Sequence, residues 1–386
     1  MRGVPHVCVL VVCLAGCGDA ARTRILPEIA AEEGIEVATL KALPTPLDES
    51  WLWSLRSVRQ VRTAHAADQE PLLYQPRAVL ELRDGLLLVH DPMASRVFVI
   101  LDLSADTAVN RFGRSGEGPG ELSGDIALSE SLDGEIVVAD RGNLQLHRYA
   151  RSGEWLGSQR LEFQGWPLAG GFQRGPGLGR FVALLLNQED QSRWNELAEI
   201  DLGSTTSRAF LRFPDFPPEA GPGTIHRGRQ LWTVLEDHVI AMWSGDPTVT
   251  VFDSSGRIER RIILPLSTSR LTTSDIEREV ARVGSIARQL EPGPRPMTNM
   301  LYAVNDSVFG MFVSALWHAA EDPPLPSGKI YWRLFTVRGE YLGVAEQPED
   351  FRLLGRGQNT LWANLLDEAG YPVVAELELV RMDREE

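Results

Sequence analysis

From about residue 75 onward, apolar residues gather in short runs, each closed by a turn and followed by a second run that alternates apolar with polar. That rhythm predicts short β-strands joined by hairpins, because alternate side chains of a strand face opposite ways. The clearest pair of runs is DGLLLVHDPMASRVFVILD (84–102) and DGEIVVADRGNLQLHRYAR (133–151), which align without a gap. Gly85 and Gly134 stand 49 positions apart, as do Asp91 and Asp140. Each copy reads as an Asp-Gly turn, an apolar strand, an Asp, a short loop and a second strand. Looser copies follow at 179–201, 236–256, 305–318 continued by 329–343, and 359–380. The residue that closes the first strand is in turn Asp91, Asp140, Asn187, Ser244, Ser314 and Asn364. All are small side chains suited to satisfying backbone groups where a strand ends.

A unit of three or four short strands buries both its faces only when it is stacked on neighbours. Tandem units of this size therefore predict an all-β fold, a six-bladed β-propeller over residues 51–386, with a sandwich of the same strands as the alternative. Ring closure is expected to place 57–64 beside 373–380 in one blade. One segment departs from the pattern: in 269–290, Ile276, Val280, Val283 and Ile286 recur at helical steps after Thr272, Thr273 and Ser274. This predicts a short helical insertion at about 269–291 on one rim, ended by Pro292.

Charge narrows the partners. The formal net charge of -15 is spread along the chain, which disfavours nucleic acid and anionic lipid. Cysteine is confined to Cys8, Cys13 and Cys17, so no disulfide or thiolate metal site is expected later. Arg2 and the apolar span 7–15 have the form of a secretory leader, too short to cross a bilayer as an anchor. The following Leu14-Ala15-Gly16-Cys17 resembles the lipobox of bacterial lipoproteins, an ordinary signal peptide or a buried apolar strand being the alternatives. The resemblance implies a lipoprotein signal peptide at 1–17, acylation of Cys17, and a membrane-anchored protein of the cell envelope, periplasmic or surface-facing. Residues 18–50, rich in Ala, Glu and Pro without a sustained period, are expected to be a flexible tether, with Trp51 and Trp53 pinning it to the ring.

The stretch RFGRSGEGPGEL (111–122) invites a phosphate-cradle reading, but a strand follows it where a cradle needs a helix N-terminus, and no lysine is near. Its glycines are expected to shape a crossover between blades, with Pro119 fixing the path and Glu121 accepting from freed backbone donors. Together with Gly134, Val138, Asp140, Asn143 and Leu146, this stretch resembles the NHL-repeat group of bacterial β-propeller lipoproteins; Ser95 stands where the first unit would carry the repeat's Asn. The resemblance implies a six-bladed ring and carries over no catalytic residue.

Candidate chemistry sits at the strand ends. Asp91 and Asp140, their neighbours His90 and Arg141, and Asn187 and Asn364 would be the densest polar group if the breaks share one level. Such oxygens would suit Ca²⁺, the one cofactor candidate, unless each Asp caps its own turn. Among His65, His90, His147, His226, His238 and His318, none pairs at metal-ligand spacing, and Ser115 lacks a nucleophile elbow. Trp232, Trp243, Trp317, Trp332 and Trp362 suit inter-blade packing or stacking on a sugar or peptide. The expected role is a lipid-anchored binding or scaffolding module for a protein, peptide or carbohydrate. The alternative is a metal-dependent propeller hydrolase resembling the gluconolactonase and regucalcin group.

Overall fold

The computed structural model describes residues 24–43, 51–62, 73–105, 107–161, 166–176, 178–189, 192–201, 204–214, 230–235, 237–266, 300–313, 330–357, 359–367 and 372–382, with a few positions between 270 and 298. Three strands come first: β1 (Glu28–Glu32), β2 (Ile35–Thr39) and β3 (Leu52–Arg62). A first antiparallel meander follows, β4 (Ala78–Glu81), β5 (Leu87–His90), β6 (Phe98–Asp102) and β7 (Thr107–Phe112), then the short parallel pair β8 (Arg114–Ser115) and β9 (Glu121–Leu122). The second meander is β10 (Ile126–Glu130), β11 (Ile136–Asp140), β12 (Gln145–Tyr149) and β13 (Trp155–Arg160); the third is β14 (Trp166–Arg174), β15 (Arg180–Glu189), β16 (Ser192–Asp201) and β17 (Ser204–Pro214). The fourth comprises β18 (Gln230–Val234), β19 (His238–Trp243), β20 (Thr248–Asp253) and β21 (Ile258–Ile263), before the two-residue partners β22 (Arg270–Leu271) and β23 (Gly293–Pro294). The fifth is β24 (Leu301–Ala303), β25 (Val308–Val313), β26 (Tyr331–Thr336) and β27 (Tyr341–Glu346). The last, β28 (Arg352–Arg356), β29 (Thr360–Leu366) and β30 (Pro372–Arg381), takes β3 as its fourth strand.

Local chemistry sets these hairpins. Gly85 and Gly134 sit at φ 82° and 81°, the left-handed conformation that the two Asp-Gly turns need, and the Gly85 N–H donates to the Leu82 carbonyl at 2.9 Å. Once folded, each meander is apolar on both faces, and its neighbours cover them. Leu80, Leu88, Phe98 and Phe112 of the first pack with Leu128, Ile136, Val138 and Tyr149 of the second. Comparable clusters join second to third, third to fourth, fourth to fifth and fifth to sixth. The sixth returns to the first through Leu354, Trp362 and Val374 against Val79, Leu87 and Val99. This cyclic succession of antiparallel meanders is a β-propeller.

Closure is as expected from the chain: β3 pairs antiparallel with β30, Ser57 opposite Leu377. Its first residues also pair parallel with β27, Val344 opposite Leu52. The expected tether at 18–50 is corrected over its described part. β1 and β2 form a hairpin, and β2 adds in parallel to the outer strand β21 of the fourth meander, burying Val37, Ala38 and Leu40. Backbone pairing along an open sheet edge, with alternate apolar side chains turned inward, outweighs the composition that suggested a linker. Trp51 stacks on Tyr341 at 5.7 Å, and the Trp53 indole N–H donates to the Leu342 carbonyl at 2.8 Å, so both do fasten the N-terminal segment. The leader 1–17 with Cys17, and Ser314, lie outside the described residues, as does most of the expected helical insertion at 269–291; β22 and β23 pair across its two ends.

Candidate functional site

In each meander the second strand ends beside the start of the first, so the described polar breaks share one end of the ring. Asp140 is opposite Ile126, the first residue of β10; His90 is opposite Ala78, the first of β4; Asn364 is opposite Arg352, the first of β28. What the side chains do there differs from one meander to the next.

Asp91 and Asp140 are fully buried and hold the loops that lead into their own meanders. Asp91 accepts from the N–H groups of Tyr74, of Gln75 at 3.0 Å and of Met93 at 3.2 Å. Asp140 accepts from the Ser123 N–H at 2.8 Å and hydroxyl, and from the Gly142 and Asn143 N–H groups at 3.0 and 3.2 Å. The Asn143 side-chain amide also donates to the Asp140 carboxylate at 3.0 Å and to the Gly116 carbonyl at 3.2 Å. The glycine stretch is clamped by these groups. Its Gly118 N–H donates to Glu121 at 3.0 Å, the Tyr149 hydroxyl donates to the Gly120 carbonyl at 2.9 Å, and Gly120 takes φ 72° with Trp155 against it. The Arg141 guanidinium turns to Asp125 at 2.6 Å and stays out of the group.

The remaining predicted residues are neutral and incompletely bonded, His90 and Asn187 buried and Asn364 half-buried. Neither His90 ring nitrogen has a partner among the described residues; nor do Asn187 Nδ2 and Asn364 Oδ1, although Asn364 donates to the Pro76 carbonyl at 3.1 Å. Burial pushes the His90 imidazole down to about 4, against the pull of Asp91 and Asp140. His147, which spacing arguments passed over, lies 3.9 Å from Asp140 and is likewise held neutral by burial. Both imidazoles sit beside an aromatic layer in which Phe98 and Phe112 meet Tyr149 at 5.8 and 5.4 Å. Tyr149 is pushed above its ordinary range by the same burial, with Asp140 adding to the effect. No group of three or more His, Cys, Asp or Glu side chains with metal-binding geometry occurs among the described residues.

Another cluster was not signalled by the repeat. Glu130, almost fully buried, receives Arg83 at 3.1 Å and Arg151 at 2.6 Å, tying the first meander to the second. Only the alternation that turns Glu130 toward Arg83 could have pointed to it.

Two solved structures share this fold. A Bacteroides fragilis protein described as exported superposes at TM-score 0.51 with 12% identity, covering 89% of this chain and 99% of that one. A member of the DUF4221 family from Bacteroides vulgatus does so at TM-score 0.51 with 13% identity, covering 85% and 99%. No protein-family model matches the chain, and no curated protein matches it.

Proposed function

We propose that this chain is a lipid-anchored, six-bladed β-propeller of the bacterial cell envelope, resembling the NHL-repeat group, that binds an uncharged, hydrogen-bonding ligand such as a carbohydrate or peptide. The six four-stranded meanders, with β3 completing the last, support the blade number. The Leu14-to-Cys17 motif and a structural neighbour described as exported support the address. The observation that carries the ligand class is a set of neutral groups at one end of the ring: both His90 ring nitrogens, Asn187 Nδ2 and Asn364 Oδ1 are buried and lack partners among the described residues. Buried polar groups are nearly always paired in proteins, so such atoms are poised to meet an exchangeable water or a ligand. A cation is favoured less, because the Asp91 and Asp140 oxygens already accept backbone donors.

The test is a thermal-shift and calorimetric screen of the purified chain against neutral oligosaccharides and short peptides, with and without calcium. A ligand that raises Tm and loses affinity about tenfold with Asn364→Leu sustains the reading. A rise produced by calcium alone and abolished by Asp140→Asn would replace it with the metal-dependent hydrolase.

A further inference from the structure

The N-terminal strands fix how far the ring can stand from its anchor. If 18–50 were a free linker, its root-mean-square span would be about 30 Å, and the ring could turn any side to the bilayer. Instead the described chain is fastened from Arg24 onward. Ile25 exchanges two backbone hydrogen bonds with Tyr341, both at 3.0 Å, and Arg24 pairs with Glu340 at 3.3 Å. Beyond that point Glu36 grips Arg260, whose guanidinium also donates to the Val337 carbonyl at 2.7 Å. Only seven Cα-to-Cα steps separate Cys17 from Arg24, a reach of at most about 25 Å. A compact body of this length is about 50 Å across.

From this we infer that the outer edge of the fourth and fifth meanders faces the lipid surface, holding the ring at a defined orientation on the membrane. The inference rests on the acylation of Cys17 proposed above. Tyr341 follows the Thr336-to-Glu340 turn, at the end of the fifth meander opposite to that where second strands finish. The leash leaves from the outer rim where these two meanders meet, across the ring from Asp91 and Asp140. The edge itself is an outermost strand whose residues are all exposed, with Leu26 and Ile29 more than half exposed. Glu28 is paired with Lys41, while Glu32 and Glu33 remain in solvent, which holds the strand at headgroup level and opposes deeper insertion.

The chain's cysteine usage makes the test clean, since none follows Cys17, whose thiol acylation blocks. Single variants Ile29→Cys and Val109→Cys occupy similarly exposed outer strands on opposite sides of the proposed ring. Each full-length acylated protein is labelled with a donor fluorophore and reconstituted in phosphatidylcholine vesicles carrying a headgroup acceptor. Energy transfer is expected to be at least about twofold more efficient from position 29, and inserting twenty Gly and Ser residues between Asp19 and Ala20 should equalise the two positions. Equal transfer in the acylated chain without the insertion overturns the orientation while leaving the anchor intact. An unmodified N-terminus by mass spectrometry overturns the anchor, and the orientation with it.

Discussion

The junction between the first and second meanders and the junction between the fourth and fifth solve one problem with different chemistry. The first is layered: an aromatic set, two neutral imidazoles beside Asp140, and Glu130 shared by two arginines. The second is almost wholly apolar, with Ile240, Val251, Phe309, Phe335 and Tyr341 sealed from outside by Ala38 and Leu40 of the added hairpin. Polar layers fix register, because a buried carboxylate left without its donors is costly. Apolar packing tolerates more sliding, and there the N-terminal hairpin supplies the fixed points through Arg260.

The largest effect should come from deleting 20–43. A tether would leave stability unchanged, whereas loss of Val37, Ala38 and Leu40 from the core should cost about 5 kcal/mol in urea denaturation. Next, Asp140→Ala strands several buried donors and should cost about 4 kcal/mol, while Asn187→Ala, whose amide N–H group has no partner among the described residues, should cost less than about 1 kcal/mol. Equal losses would show that the two strand ends are equivalent after all.

Acidity should then separate the junctions. His90 titrates near 6.5 when unfolded and at about 4 when folded, so between these values the unfolded chain holds more protons. Stability is thus fully present above about pH 7 and falls by about 3 kcal/mol as the pH drops to 4. His90→Phe should flatten most of that slope, leaving a smaller one of the same sign from His147; an unchanged slope would remove the imidazoles from the account. The smallest of the larger effects is Glu130→Gln, about 2 kcal/mol, because Arg83 and Arg151 are 47% and 30% exposed and water screens part of the attraction.

Much of the first junction was legible in the residues. The 49-residue offset aligned Asp91 with Asp140, and their role as turn holders follows from side chains that reach backbone N–H groups nearby. The role of the glycine stretch and the pairing of β3 with β30 were likewise readable, since both depend on local backbone freedom or strong alternation. The hairpin EIAAEEGIEVAT was not. Its outer strand is exposed at every position, so alternation is visible only in β2, and its partner β21 lies more than two hundred residues away. The Glu33-Gly34 turn, at φ 52° and 83°, was the available signal. That the His90 ring nitrogens and Asn187 Nδ2 have no partner among the described residues depends on how neighbouring meanders stack, which no spacing along one strand reveals.

The strand Leu52–Arg62 is made early yet finds its antiparallel partner more than three hundred residues later. During synthesis most of it must stay extended until β30 emerges, because beyond the short parallel contact with β27 its backbone donors and acceptors have no earlier partner in the sheet. A chain halted before Pro372 would present that bare ribbon, together with the open flank of β29, to any other nascent copy. Completion of the C-terminus thus acts as the latch that turns a self-adhesive intermediate into a monodisperse wheel.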